Sequence, residues 1–200
     1  MAVPQRLTPL TEEDYLALER AASSRSEFLD GEMFAMAGGS PMHSLIAANV
    51  IRELGNHLRS GPCRPFTSDL RLKVEATGLY TYPDVSVACP ARFLDERQDT
   101  LVNPSVIFEV LSTITEAYDR GAKFASYRSI PSLQDYVLLS QERALIEHFH
   151  RQEDGSWVLR EARAGGSLAL PSIGCILAVN EVYLDVFAAK DEATSEGEPG

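Results

Sequence analysis

Residues 105–112 read Ser-Val-Ile-Phe-Glu-Val-Leu-Ser, an almost unbroken apolar run. Runs of this kind form strands covered on both faces. That demands layers on either side of a sheet, and so an α/β chain. One residue sits badly there. Glu109 puts a carboxylate into the driest part of the strand, where it must be paired, protonated or bound to a cation. A neighbouring Arg, or a place at the strand's solvent-facing end, would account for it without any function.

The segments around this strand supply the layers. Thr11 before Glu12, Glu13 and Asp14 predicts a short helix over 11–22. Asp30-Gly31 between apolar flanks predicts a hairpin over 27–37. Ser40-Pro41 opens a long helix with Ile46, Val50, Leu54 and Leu58 as its buried stripe, stopped by Gly61-Pro62. Leu70, Leu72 and Val74 alternate with charged residues as a half-buried strand, and a second strand covers 80–88. A polar loop over 89–103 leads into the 105–112 strand. A helix over 115–129 stops before Pro131, and 134–139 forms another buried strand. Strands near 145–150, 156–161 and 167–171 follow, then a helix from 180 to about 188.

The expected architecture is an α-β-β-β-α-β core with one mixed central sheet flanked by helices. An N-terminal helix-hairpin and a C-terminal β-rich extension wrap it. Residues 1–189 read as one domain, and 190–200, acidic with Ser, Gly and Pro, as a disordered tail.

Composition narrows the function classes. Eighteen Lys and Arg against 29 Asp and Glu give a net charge of −11, and without the last ten residues the chain still stands at −7. This balance opposes a protein that coats nucleic acid through cationic surface. It leaves open an enzyme whose acids hold metal ions, since the ions bring positive charge with them. No apolar run approaches the ~20 residues of a membrane helix, and nothing at the start resembles a signal peptide, so a cytoplasmic location is expected. Three cysteines, Cys63, Cys89 and Cys175, without C-x-x-C spacing argue against a disulfide framework and are expected simply to pack.

Further candidates gather around Glu109. Asp84 follows Pro83 at a strand irregularity that aims a side chain out of the ladder; alone, Pro-Asp is ordinary turn chemistry. Two acids from adjacent strands can converge on one hard cation. Asp119, Lys123 and Tyr127 recur at i, i+4 and i+8 on one helix face. A surface Asp–Lys pair would give the same spacing, but this chain carries 15 Arg and only three Lys, so a Lys retained here hints at a compact ammonium. His148-x-His150 sets two imidazoles on one strand face, which an exposed face explains without a metal. Arg64, Arg71 and Arg128 are candidates for a basic rim. Gly38-Gly39-Ser40 running into a helix reads as an ordinary cap, with backbone N–H groups offered to a phosphate the alternative.

Pro83-Asp84, Glu109-Val110-Leu111-Ser112 and Asp119-x-x-x-Lys123-x-x-x-Tyr127 together resemble the PD-(D/E)XK nuclease superfamily. More narrowly, the chain resembles the Uma2-type restriction endonucleases, over about residues 11–187. The likeness includes the Glu27-x-x-Asp30-Gly31-Glu32 hairpin, His43 in the next helix and the Leu-x-Asp-Tyr strand at 133–136. One departure stands out: the superfamily pattern has Lys two residues after the second acid, where this chain has Leu111, and the lysine is displaced to Lys123.

The resemblance implies hydrolysis of a DNA phosphodiester with Mg²⁺ or Mn²⁺. Asp84, Glu109 and the Val110 carbonyl would hold the ion, which lowers the pKa of a water and offsets leaving-group charge. Lys123 would position or help deprotonate that water. Glu27 would be a further catalytic acid, with a hairpin-end salt bridge the plain alternative. His43 and Tyr127 are candidate substrate contacts. A homodimer is expected, since such nucleases often cut two strands with paired sites. Two rivals share these features: the same fold kept as a non-catalytic interaction module, and a hydrolase of a smaller phosphate ester.

Overall fold

The computed structural model describes residues 9–36 and 38–187; the expected tail lies outside them. Helix α1 (Glu12–Ala21) begins at a reciprocal capping box between Thr11 and Asp14. Strands β1 (Ser26–Leu29) and β2 (Glu32–Ala35) form the hairpin, with Asp30 and Gly31 at φ of 51° and 84°, the left-handed pair that a two-residue turn requires. A Cβ on Gly31 would also collide with Pro9.

Helix α2 (Pro41–His57) starts where Ser40 Oγ accepts the His43 N–H at 3.0 Å. Its stripe of Ile46, Val50 and Leu54 is fully buried. The same Ser40 hydroxyl donates to Gln141 Oε1 at 2.6 Å. Ser40→Ala should therefore cost about 1 kcal/mol or slightly more, the usual worth of a helix cap, read as a lowered midpoint in urea denaturation at unchanged slope.

Strands β3 (Arg64–Thr67), β4 (Arg71–Val74), β5 (Leu79–Thr81) and β6 (Val85–Ala88) follow. The segment expected as one strand over 80–88 is two, and they belong to different sheets. The break falls at Tyr82-Pro83-Asp84, where Pro83 has no N–H to give a ladder. After β7 (Thr100–Leu101) and β8 (Val106–Leu111), the expected helix over 115–129 arrives in pieces: α3 (Glu116–Tyr118), a π-helical turn (Asp119–Lys123) and α4 (Phe124–Tyr127). Gly121, a weak helix former, sits in the widened turn. Next come β9 (Asp135–Ser140), β10 (Leu145–Arg151), β11 (Trp157–Arg163) and β12 (Ser167–Leu170). A 3₁₀ turn (Pro171–Ile173), β13 (Cys175–Ala178) and the short α5 (Val179–Val182) complete the described chain.

A six-stranded mixed sheet, ordered β11-β10-β9-β8-β6-β3, forms the centre, with β8 and β9 parallel and their outer neighbours antiparallel. A five-stranded sheet, β2-β1-β5-β4-β7, carries the hairpin, and β12-β13 pair separately. The α/β core is thus as expected, but its strands divide between sheets. All six residues of β8 are buried. Val106, Phe108 and Val110 face one core with Ile46, Val50 and Leu54 of α2. Ile107 and Leu111 face the other, with Phe124, Tyr127 and Tyr136. Glu109 alternates onto this second face.

The cysteine expectation needs correction. Cys63 and Cys89 are disulfide-bonded, and only Cys175 is a free, buried thiol. The antiparallel β3–β6 ladder pairs Arg64 with Ala88, so the next residues along, 26 apart in sequence, face each other. Cysteine spacing alone does not contain that register.

Candidate functional site

Asp84 stands one residue before β6, and the β6–β8 register pairs Val85 with Phe108, which sets it opposite Glu109. Its Oδ2 accepts the Val110 N–H at 2.7 Å, while its own N–H points to Glu109 Oε2 at 3.4 Å. The sheet break at Pro83 thus turns the Asp84 carboxylate onto the end of the Glu109 strand.

Lys123 meets them from the helix side. Its Nζ lies 2.9 Å from Glu109 Oε1 and 3.4 Å from both Glu27 Oε1 and Asp119 Oδ1. The wide π turn makes this possible: it takes up the angular drift that i, i+4 spacing accumulates in a 3.6-residue helix. Asp119, Lys123 and Tyr127 all point inward, at 3%, 6% and 0% exposure. Tyr127 donates its hydroxyl to Glu109 Oε1 at 2.9 Å. Being fully buried, it holds the carboxylate rather than reaching the open cleft. Glu27, on β1, also accepts from the Thr81 hydroxyl. Asp119 is more than the helix partner that its spacing suggested, since it lies within this carboxylate group.

The electrostatics follow from burial. Desolvation pushes the Glu109 carboxyl above its usual range; Lys123 opposes this, and the Asp84 and Asp119 charges reinforce it. Desolvation lowers Lys123, but Glu109, Glu27 and Asp119 more than compensate and hold the ammonium protonated well above its ordinary range. Burial likewise raises Asp119 despite Lys123.

His43, in the first turn of α2, places Nε2 3.1 Å from Asp84 Oδ2. That hydrogen bond raises the imidazole pKa above 6.5 against the opposing effect of burial, with the Asp84 and Asp119 charges adding to it. The charged ring contributes its full stability below pH 6.5 and loses it as pH rises through the raised value. In an NMR titration of the metal-free protein, His43 should titrate above 6.5, and in Asp84→Asn it should fall back.

Beside this pair opens a cleft of about 400 Å³ lined by His43, Ala47, Ile51, Thr67, Ser68 and Asp84. A larger recess under α1, near Glu12, Arg20 and Lys73, lies away from these acids. Of the expected basic rim, Arg64 and Arg128 are exposed. Arg71 is not a rim residue: it is buried and tied to Thr100, Tyr82 and Asp99. The histidine pair also departs from expectation. His148 is buried, and both rings bond Asp135.

Within this α/β fold, acids from the central strand, the hairpin and the π turn surround one lysine, and Asp84 joins them from the strand break through Glu109 and Val110. Comparison with known proteins places the chain. The family described as "Uma2: Putative restriction endonuclease" matches residues 12–180, and the chain belongs to that family. It is 41% identical over 176 residues to uncharacterized protein slr1290 of Synechocystis sp., covering 87% of this chain and 91% of that protein. It is 39% identical over 153 residues to uncharacterized protein sll1609 of the same organism, covering 76% and 86%. In fold it is similar to the crystal structure titled a putative nuclease belonging to DUF820 from Anabaena variabilis. The TM-score there is 0.69 at 17% identity, over 88% of this chain and 98% of that one. The family supports a nuclease-like function. Among the described residues, no helix is long and apolar enough to cross a membrane.

Proposed function

We propose that this protein is a Mg²⁺- or Mn²⁺-dependent endonuclease hydrolysing DNA phosphodiester bonds. One observation carries the reading: Lys123, displaced from the usual strand position, meets Glu109, Glu27 and Asp119 at the buried end of the strand that Asp84 abuts. The donor set fits a hard divalent cation. Four carboxyl groups face one ammonium and one imidazole, so acids are in excess in a largely dry site, and magnesium is commonly bound through one or two carboxylates plus phosphate oxygens. Lys123 and Tyr127 occupy Glu109 Oε1, which leaves Oε2 on the Asp84 side. Val110 and His43 occupy Asp84 Oδ2, and among the described residues Oδ1 accepts no bond. Asp84 and Glu109 would hold such an ion, with Glu27 near Glu109 across Lys123; when bound it would supply Lewis acidity toward the phosphate and a lowered pKa for a water.

The chain's own groups do the rest. Lys123, protonated among its acids, stabilises negative charge gathering at phosphorus; in the metal-free site it is poorly suited to accept a proton. Tyr127 fixes the orientation of Glu109. His43 stands at the mouth of the apolar cleft, where it can contact the substrate and hold the Asp84 carboxylate. Two such sites in a C₂ homodimer would address both strands. A cytoplasmic location belongs to the same proposal, and the Cys63–Cys89 bond bears against it, because such bonds are rare in the cytosol.

The charge of −11 and the burial of Arg71 favour a second reading, a non-catalytic module on the same fold. Incubation with supercoiled and single-stranded DNA plus Mg²⁺ or Mn²⁺ separates the two. We expect cutting by the wild type and none by Asp84→Ala. Absence of cutting across metals and pH, or equal cutting by the variant, leaves the module.

A further inference from the structure

Asp135 begins β9 with no exposed surface. The antiparallel β9–β10 register places His150 directly opposite it and His148 opposite Val137. Both imidazoles therefore stand on Asp135's face of the sheet. His148 Nε2 and His150 Nδ1 each lie 2.7 Å from Asp135 Oδ1. Ser172, from the 3₁₀ turn after β12, donates to Oδ2. Burial pushes the Asp135 carboxyl up, but the bonds from His148, Ser172 and His150 prevail and hold it below its usual range.

An ionised carboxylate in this position needs a positive partner. Among the described residues its ion-pair partners are the two histidines alone, with no Lys or Arg. The cluster is also separate from the Asp84–Glu109 region. Asp135 shares its sheet face with Val137 and Leu139 of the first core, whereas Glu109 is on the opposite face. The parallel register sets them three residues apart along the strands, about 10 Å.

We infer that Asp135, His148 and His150 form a second, structural metal site that takes a divalent transition-metal ion, with Zn²⁺ the best match. Two imidazoles and one carboxylate are zinc donors, and imidazole favours zinc over the hard ions magnesium and calcium. The three ligand atoms lie within 4.8 Å of one another. A zinc ion sits about 2 Å from each donor, so the rings must draw back from Oδ1 by on the order of half an ångström. The His150 side chain, 28% exposed, gives that freedom and an entry path. Ser172 holds the carboxylate's orientation as an outer partner, and water completes the coordination. The ion would clamp β9, β10 and the turn after β12 together, displacing any ring proton that faces Asp135.

The test is a calorimetric Zn²⁺ titration of the chelator-stripped full chain, paired with thermal melting. It does not depend on the nuclease reading. We expect one Zn²⁺ bound by both wild type and Asp84→Ala, with a raised melting temperature in each. His150→Ala should weaken that binding at least about tenfold and abolish the thermal gain. If His150→Ala does not fold, His150→Gln, which keeps a donor for Asp135 but no imidazole, takes its place. Zn²⁺ binding that is absent from the wild type, unchanged in the His150 variant or lost in Asp84→Ala overturns the site.

Discussion

Lys123→Met is expected to destabilise the protein by about 3–5 kcal/mol at pH 7, the cost of removing one partner from a buried ion pair. Methionine fills much of the lysine's volume, so the loss is one of charge. Glu109, Glu27 and Asp119 are left facing one another without the ammonium that lies 2.9–3.4 Å from them. The pH dependence gives the cause away. Without Lys123 the folded-state pKa values of Glu109 and Asp119, already raised by burial, rise further. The deficit is then greatest at neutral and alkaline pH and shrinks as the carboxylates take up protons toward pH 4.5. Urea denaturation at pH 5 and pH 7 reads this directly, and the double variant Lys123→Met/Glu109→Gln should recover part of the loss. A single variant with wild-type stability at both pH values would mean that the ammonium does not reside among the acids.

The elements legible in the sequence are those set by neighbours along the chain. The α2 stripe, the Thr11 cap and the Asp30-Gly31 turn each rest on residues within a few positions of one another, and each is found as read. Glu109 was conspicuous because a carboxylate inside an apolar strand violates the local rule, and such violations gather where function strains a fold. What escaped depends on register between distant segments. The division of 80–88 between two sheets needs β5 to pair with β1 and β4 while β6 pairs with β8 and β3; Pro83 marked the place without naming the partners. The Cys63–Cys89 bond and the Asp135–His148–His150 cluster both arise from residues brought opposite each other across ladders. The i, i+2 spacing of the histidines was visible, but the acid they share was not. The π turn is an intermediate case: Gly121 weakens the helix locally, while burial of Asp119, Lys123 and Tyr127 selects the wider turn.

Glu109→Gln is expected to separate activity from folding. Metal-dependent DNA cutting should fall by at least about a hundredfold, the scale of losing one preorganised electrostatic group at a reacting centre. Stability should not fall with it. Burial, reinforced by Asp84 and Asp119, raises the Glu109 pKa above 4.5 despite Lys123. In a group shifted this way, the ionised form weighs against the folded state above the raised value, and that penalty vanishes below pH 4.5. Glutamine keeps the shape and an oxygen for the Tyr127 hydroxyl, and Lys123 retains Glu27 and Asp119 as partners. The variant should therefore melt at or above the wild-type temperature at pH 8, with the difference closing as pH falls toward 4.5. A residue retained at the expense of stability is the mark of a site shaped for function. If instead Glu109→Gln loses more than about 2 kcal/mol at pH 8, a cost characteristic of a broken buried network, Glu109 is an anchor of the fold, and its contact with Lys123 is reason enough for both residues.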